Sequence, residues 1–62
     1  MKPKPDALKY IKKIRNSAKK KYALSYHNYL ISDKTGTEPE YNDLSYMGAQ
    51  AVRMNLNKIY NL

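Results

Sequence analysis

The sequence predicts an all-α fold built as an antiparallel helical hairpin, two long helices joined by one loop. Three observations carry this expectation. No Gly or Pro falls between residues 6 and 35. Apolar and small residues recur at spacings of three and four in two separate segments. Between those segments lies "SDKTGTEPE", residues 32 to 40, with a Gly and a Pro to break any helix.

Residues 1 to 5 read as an extended basic arm, because Pro3 and Pro5 disfavour helix before them. Asp6 can cap the first helix, or Pro5 can occupy its first position. That helix is expected over residues 6 to 31. Ala7, Ile11, Ile14, Ala18, Tyr22, Ser25 and Tyr29 fall on one narrow stripe. Lys9, Lys12, Lys13, Lys19 and Lys20 lie opposite, with Asn16 among them, and Arg15 and Lys21 flank the stripe. In the loop, Gly36 supplies a turn, and "TEPE" reads as a helix start in which Thr37 caps and Glu40 closes a capping box. The second helix then runs to about residue 60. Tyr41, Leu44, Gly48, Val52, Leu56 and Ile59 form its stripe, with Ala51 beside them. Gly48 costs about 1 kcal/mol against Ala in a helix, which suggests a close approach by another helix. Tyr46, Met47 and Met54 fall off this stripe.

The chain has 62 residues, so one small domain, residues 6 to 62, is expected after the arm. Two helices cover each other on one side only, and a core this thin needs support. A homodimer forming a four-helix bundle is the first solution. A kink near Asn16 and Ser17 that folds the first helix back into a three-helix monomer is the second. Ordering on a partner is the third.

Net charge is +7, and it is unevenly placed. Residues 1 to 21 hold nine basic groups against Asp6, whereas residues 22 to 62 hold three against four acidic ones. Such a field attracts polyanions. With no Cys, disulfides, thiolate metal sites and thiol catalysis are excluded, and a reducing cytoplasm is compatible. The basic start is followed by no apolar run, and no stretch approaches a membrane span. A cytoplasmic product is therefore expected.

Lys9, Lys12, Lys13, Lys19 and Lys20, with Arg15, could follow a phosphate backbone over roughly three turns, about 17 Å. The Lys2 and Lys4 arm could add contacts, and the bland alternative is a solvated face. "YALSYHNYL", residues 22 to 30, places Tyr22 and Tyr29 on the stripe as packing residues and leaves Tyr26 free. His27, the only histidine, reads as a surface residue. Glu38, Glu40 and Asp43 read as helix-start carboxylates rather than metal ligands. No phosphate loop, nucleophile elbow or paired-carboxylate site is present, so neither enzyme activity, a cofactor nor a metal is expected. Membrane-surface binding ranks third, because the stripe of the first helix is weakly apolar.

"DALKYIKKIRNS", residues 6 to 17, resembles the opening helix of the small Hha-type nucleoid modulators. "MNLNKIY", residues 54 to 60, resembles a segment near the end of their conserved region. The Asp-His-Arg character of that family's central helix is missing from "YMGAQAVRM", residues 46 to 54, and no functional residue is carried over. The resemblance implies a protein partner of the H-NS-like kind. Two functions therefore stand. The first is a small, basic, non-enzymatic nucleic-acid-associated protein that holds DNA or RNA backbone through Lys9, Lys12, Lys13, Arg15, Lys19 and Lys20. The alternative is a protein-binding modulator or inhibitor of a larger nucleic-acid-handling or nucleoid protein, an accessory regulator of the phage or plasmid type, with Tyr26, Tyr46, Met47 and Met54 as its contact.

Overall fold

The computed structural model describes all 62 residues and folds them into three helices: α1 (Pro5–Lys13), α2 (Ser17–Ile31) and α3 (Tyr46–Ile59). The chain is all-helical, as expected, but the first of the two expected helices is in fact two. Pro5 opens α1 at a position where its missing N–H costs nothing, and Lys4 is the N-cap without a side-chain cap bond. Helix α1 ends at Ile14, whose backbone turns extended (φ −71°, ψ 124°). Asn16 is the physical reason for the break. Its Oδ1 accepts the Lys19 amide at 2.9 Å, and its carbonyl accepts the Lys20 amide at 2.9 Å. A helix start of this kind contributes about 1 kcal/mol, which competes directly with continuing the helix through Asn and Ser.

The break resets the helical register. Helix α2 buries Tyr22, Ala23, Tyr26, His27 and Leu30, whereas Ser25 is exposed and Ala18 and Tyr29 are half-buried. The single stripe drawn through residues 7 to 29 is thus corrected from Ala18 onward. It ends in a Schellman motif. Asp33 takes the left-handed conformation (φ 59°), the Lys34 amide reaches the Tyr29 carbonyl at 2.8 Å, and the Asp33 amide reaches that of Leu30 at 3.0 Å.

The second expected helix starts late. Thr37 does not cap it, and residues 37 to 45 form a loop. Pro39 explains this, because the residue before a proline is pushed out of the α region, and Glu38 would have to be helical. Ser45 caps instead, its Oγ accepting the Gly48 amide at 3.0 Å. Gly48 is half-buried against that cap rather than against another helix. A Cβ there would meet Ser45 Oγ at 3.2 Å and Leu44 Cδ2 at 3.8 Å. Helix α3 ends in a second Schellman motif, with Asn61 left-handed (φ 59°) and the Leu62 amide on the Asn57 carbonyl at 2.8 Å.

The core joins Ala7 and Ile11 of α1, the inner face of α2, and Ala49, Val52, Leu56 and Tyr60 from the α3 segment. Leu30, Val52 and Leu56 are the largest fully buried side chains, each contributing about 1.5–3 kcal/mol. The Cα envelope is only 15 Å in its shortest dimension, two helix backbones with one layer of side chains between them. Its radius of gyration, 10.6 Å, is that of a compact chain of this length. Folding back α1 lays a third helix against α2 and α3.

Tyrosines do much of the packing. Tyr29, Tyr26, Tyr22, Tyr41 and Tyr46 form a run of ring contacts at 6.0–6.4 Å that ties the loop to α2. Arg53 lies over the Tyr41 ring at 5.5 Å. Their hydroxyls find partners unevenly. Tyr26 donates to Asn57 Oδ1 at 2.9 Å. The Tyr60 hydroxyl accepts the Lys4 amide at 2.9 Å and bonds His27 Nε2. His27 is therefore no surface residue. It is buried, and its Nε2 shares a hydrogen bond with the Tyr60 hydroxyl, which also accepts the Lys4 amide. The Tyr22 hydroxyl is buried without a hydrogen-bond partner. Burial pushes its pKa above the usual phenol value, and the nearby Arg53 cation offsets part of that.

These contacts separate two substitutions. Tyr60→Phe strands the Lys4 amide and the His27 imidazole and should cost about 1–3 kcal/mol in urea unfolding followed by circular dichroism. Tyr22→Phe removes an unpartnered hydroxyl and should leave stability unchanged or raise it. Equal losses in both would mean that Tyr22 is bonded after all. Burial also lowers the His27 pKa below its ordinary value. Below about pH 6.5 the unfolded chain takes up a proton that the folded protein resists. Stability should thus be complete above that pH and fall as the pH drops towards about 5, before most carboxylates titrate. His27→Gln, which keeps a non-titrating hydrogen-bonding group for Tyr60, should flatten this slope, and an unchanged slope would assign it elsewhere.

Candidate nucleic-acid interface

The expected basic row is divided by the helix break. Lys9, Lys12 and Lys13 lie on the outward side of α1, away from Ala7 and Ile11, and all three are exposed. Arg15 is exposed in the connection, and Lys19 and Lys20 are half-buried at the start of α2. They do not form one straight face. Instead, the elbow brings Lys13, Arg15 and Lys19 together with Tyr10, Ile14 and Asn16 around a shallow cleft of ≈ 320 Å³. Lys9, Lys12 and Lys20 do not line it. Lys4 is corrected as a backbone-binding candidate. Its ammonium donates to the Ile59 carbonyl at 3.1 Å and lies over the Tyr60 ring at 5.4 Å.

Electrostatically these cations are placed at a cost. The only ion pair in the structure joins the Met1 α-amino group to Asp33 at 3.4 Å. No Lys or Arg side chain is paired with a carboxylate. Lys9 and Lys13 are like charges at i,i+4, which destabilise a helix by about 0.2–0.5 kcal/mol. The first turn of α2 holds no acidic residue and carries Lys19 and Lys20, so cations crowd the positive end of its dipole. Lys12 and Lys13, at the end of α1, are the favourably placed ones.

On α3, Tyr46 (62% exposed), Met47 (80%) and Met54 (62%) stand in solvent, as their wheel positions predict. Tyr26 does not join them. It is 3% exposed, lies in the core and is removed from the contact set, because the register reset turned it inward. Leu8 and Leu24 on the helices, and Met1 and Leu62 at the ends, are further exposed apolar residues that the wheel positions did not single out. Leu24 lies with Lys21 and Asn28 on the outer side of α2, a position visible only once the helix is counted from Ser17. Glu38, Glu40 and Asp43 are exposed in the loop rather than on a helix.

Three-helix chains of this size share an architecture, not a function. No family model, curated protein or solved structure matches this chain. The resemblance to Hha-type modulators thus gains no support from the family comparison.

Unpaired like charges should make the fold salt-sensitive. Raising NaCl from about 10 to 200 mM screens their repulsion and should stabilise the protein by up to about 1 kcal/mol. Scanning calorimetry should record a Tm rise of at most about 4–8 °C. A Tm that falls with salt would mean that favourable charge contacts dominate.

Proposed function

We propose that this chain is a small non-enzymatic protein that associates with nucleic acid by gripping phosphate backbone at the basic elbow of α1 and α2. The contact residues are Lys9, Lys12, Lys13, Arg15, Lys19 and Lys20. One observation carries the reading: these cations are unpaired, and two of them sit at the wrong end of a helix dipole. Local rules that a sequence breaks at a stability cost are expected at functional sites. Phosphates placed there would relieve both the mutual repulsion and the dipole conflict.

The alternative is a protein-binding modulator whose contact is the outer side of α3. It is favoured by Tyr46, Met47 and Met54, large adaptable side chains that the core does not use. A homodimer through the same side is a special case of that reading.

Fluorescence anisotropy with a short labelled DNA duplex, between about 50 and 200 mM NaCl, tests the first reading. Affinity should fall steeply with salt, by about 0.9 log units per log unit of salt for each phosphate engaged. Lys9→Glu with Lys12→Glu should weaken binding roughly tenfold and reduce that slope by about two, with helix content unchanged. If neither affinity nor slope changed, the α1 lysines would be a solvated face. The protein contact on α3 would then become the leading explanation.

A further inference from the structure

The elbow cleft differs from the rest of the basic surface in three ways. Its cations come from separate segments, Lys13 from α1, Arg15 from the connection and Lys19 from α2, so they surround a concavity rather than forming a row. No carboxylate lines it. Its remaining walls are the half-buried Tyr10 and Ile14 and the exposed Asn16. The Tyr10 hydroxyl accepts from Asn55 Nδ2 of α3 at 3.4 Å, which tethers the ring to the body of the protein.

Its volume, ≈ 320 Å³, lies at the small end of ligand sites, where one compact group fits. A neutral ligand would leave three cations uncompensated. A paired duplex presents stacked bases that cannot reach an aromatic wall, whereas an unpaired strand can turn a base out onto one. On the cleft wall, Asn16 takes the Lys19 amide, and the Ser17 and Ala18 amides next to it donate to no protein acceptor.

We propose that the elbow cleft seats one nucleotide unit of an unpaired nucleic-acid strand, its phosphate held by Lys13, Arg15 and Lys19 and its base laid against Tyr10. This rests on the nucleic-acid reading and narrows it. The lysines of the outer α1 side add general backbone attraction. The cleft gives the preference for a single strand. Asn16 acts through geometry, by fixing where α2 begins and so where Lys19 stands.

The full chain is titrated by fluorescence anisotropy against a labelled oligothymidylate and against a duplex, with circular dichroism as the folding control. Two charge-matched variants are compared: Lys13→Gln/Arg15→Gln/Lys19→Gln in the cleft, and Lys9→Gln/Lys12→Gln/Lys20→Gln outside it. The cleft variant should lose about tenfold more single-strand affinity than its matched control. Tyr10→Leu should cost about fivefold or more on the single strand, the lower end of what one stacked base contributes, and leave duplex binding unchanged. Equal losses from the two charge variants, with no effect of Tyr10→Leu, would overturn the cleft and leave the general lysine reading intact. Thymidine monophosphate that displaces the oligomer mole for mole would overturn the strand and assign the cleft to a free nucleotide. Wild-type protein that binds neither probe at low salt would overturn both readings.

Discussion

One phenol oxygen holds the three helices in their relative places. The Tyr60 hydroxyl stands at the end of α3, accepts the backbone amide of Lys4 at the start of α1, and meets the imidazole of His27 on α2. Lys4 has no side chain able to cap α1, so without Tyr60 its amide would lack a partner. The same residue returns the favour. Its ammonium bonds the Ile59 carbonyl, one of the acceptors that every helix end leaves open. Helix α1 is short and buries only Ala7 and Ile11, so this shared oxygen adds a directional tie to a small apolar contact. The elbow, the cleft beneath it and the spread of the lysines all follow from where α1 is held.

The all-helical character was legible, because three- and four-residue spacing with no interior Gly or Pro leaves few options. The positions of the breaks were less so. At residues 14 to 17 the sequence offers both a continuing amphipathic stripe and an Asn-Ser helix start. Periodicity alone does not weigh a cap of about 1 kcal/mol against three more helical residues. Once that choice went the other way, the inward side of α2 turned so that Tyr22 stayed buried while Ser25 came out, and Tyr26 and His27 moved from the surface to the core. At the second helix, "TEPE" carries a good cap and a proline that forbids its use. The exposed lysines and the Met47 and Met54 side were legible because they depend on local wheel position alone. The cleft was not, since it exists only through the angle between two helices.

Stability and charge pull against each other here. A core one side chain thick, with eleven buried residues, leaves little margin. Yet the chain keeps seven net positive charges, pairs no Lys or Arg with a carboxylate, and leaves a phenol hydroxyl unpartnered in its interior. Each lowers the stability of the fold by a modest amount. The lysine placement is the costliest to explain on structural grounds, since a few exchanges to Glu in the first turn of α2 would satisfy the dipole at once.

The outer side of α3 has a chemical consequence of its own. Met47 and Met54 are two turns apart, both exposed, in a chain with no Cys to compete for oxidants. Oxidation would convert their thioethers to sulfoxides, polar and chiral groups, without opening the interior. The greasiest part of the surface can therefore be made polar, and restored by reduction, while the helices stay packed. The two sulfur atoms make the hydrophobicity of that side a redox-dependent property rather than a fixed one.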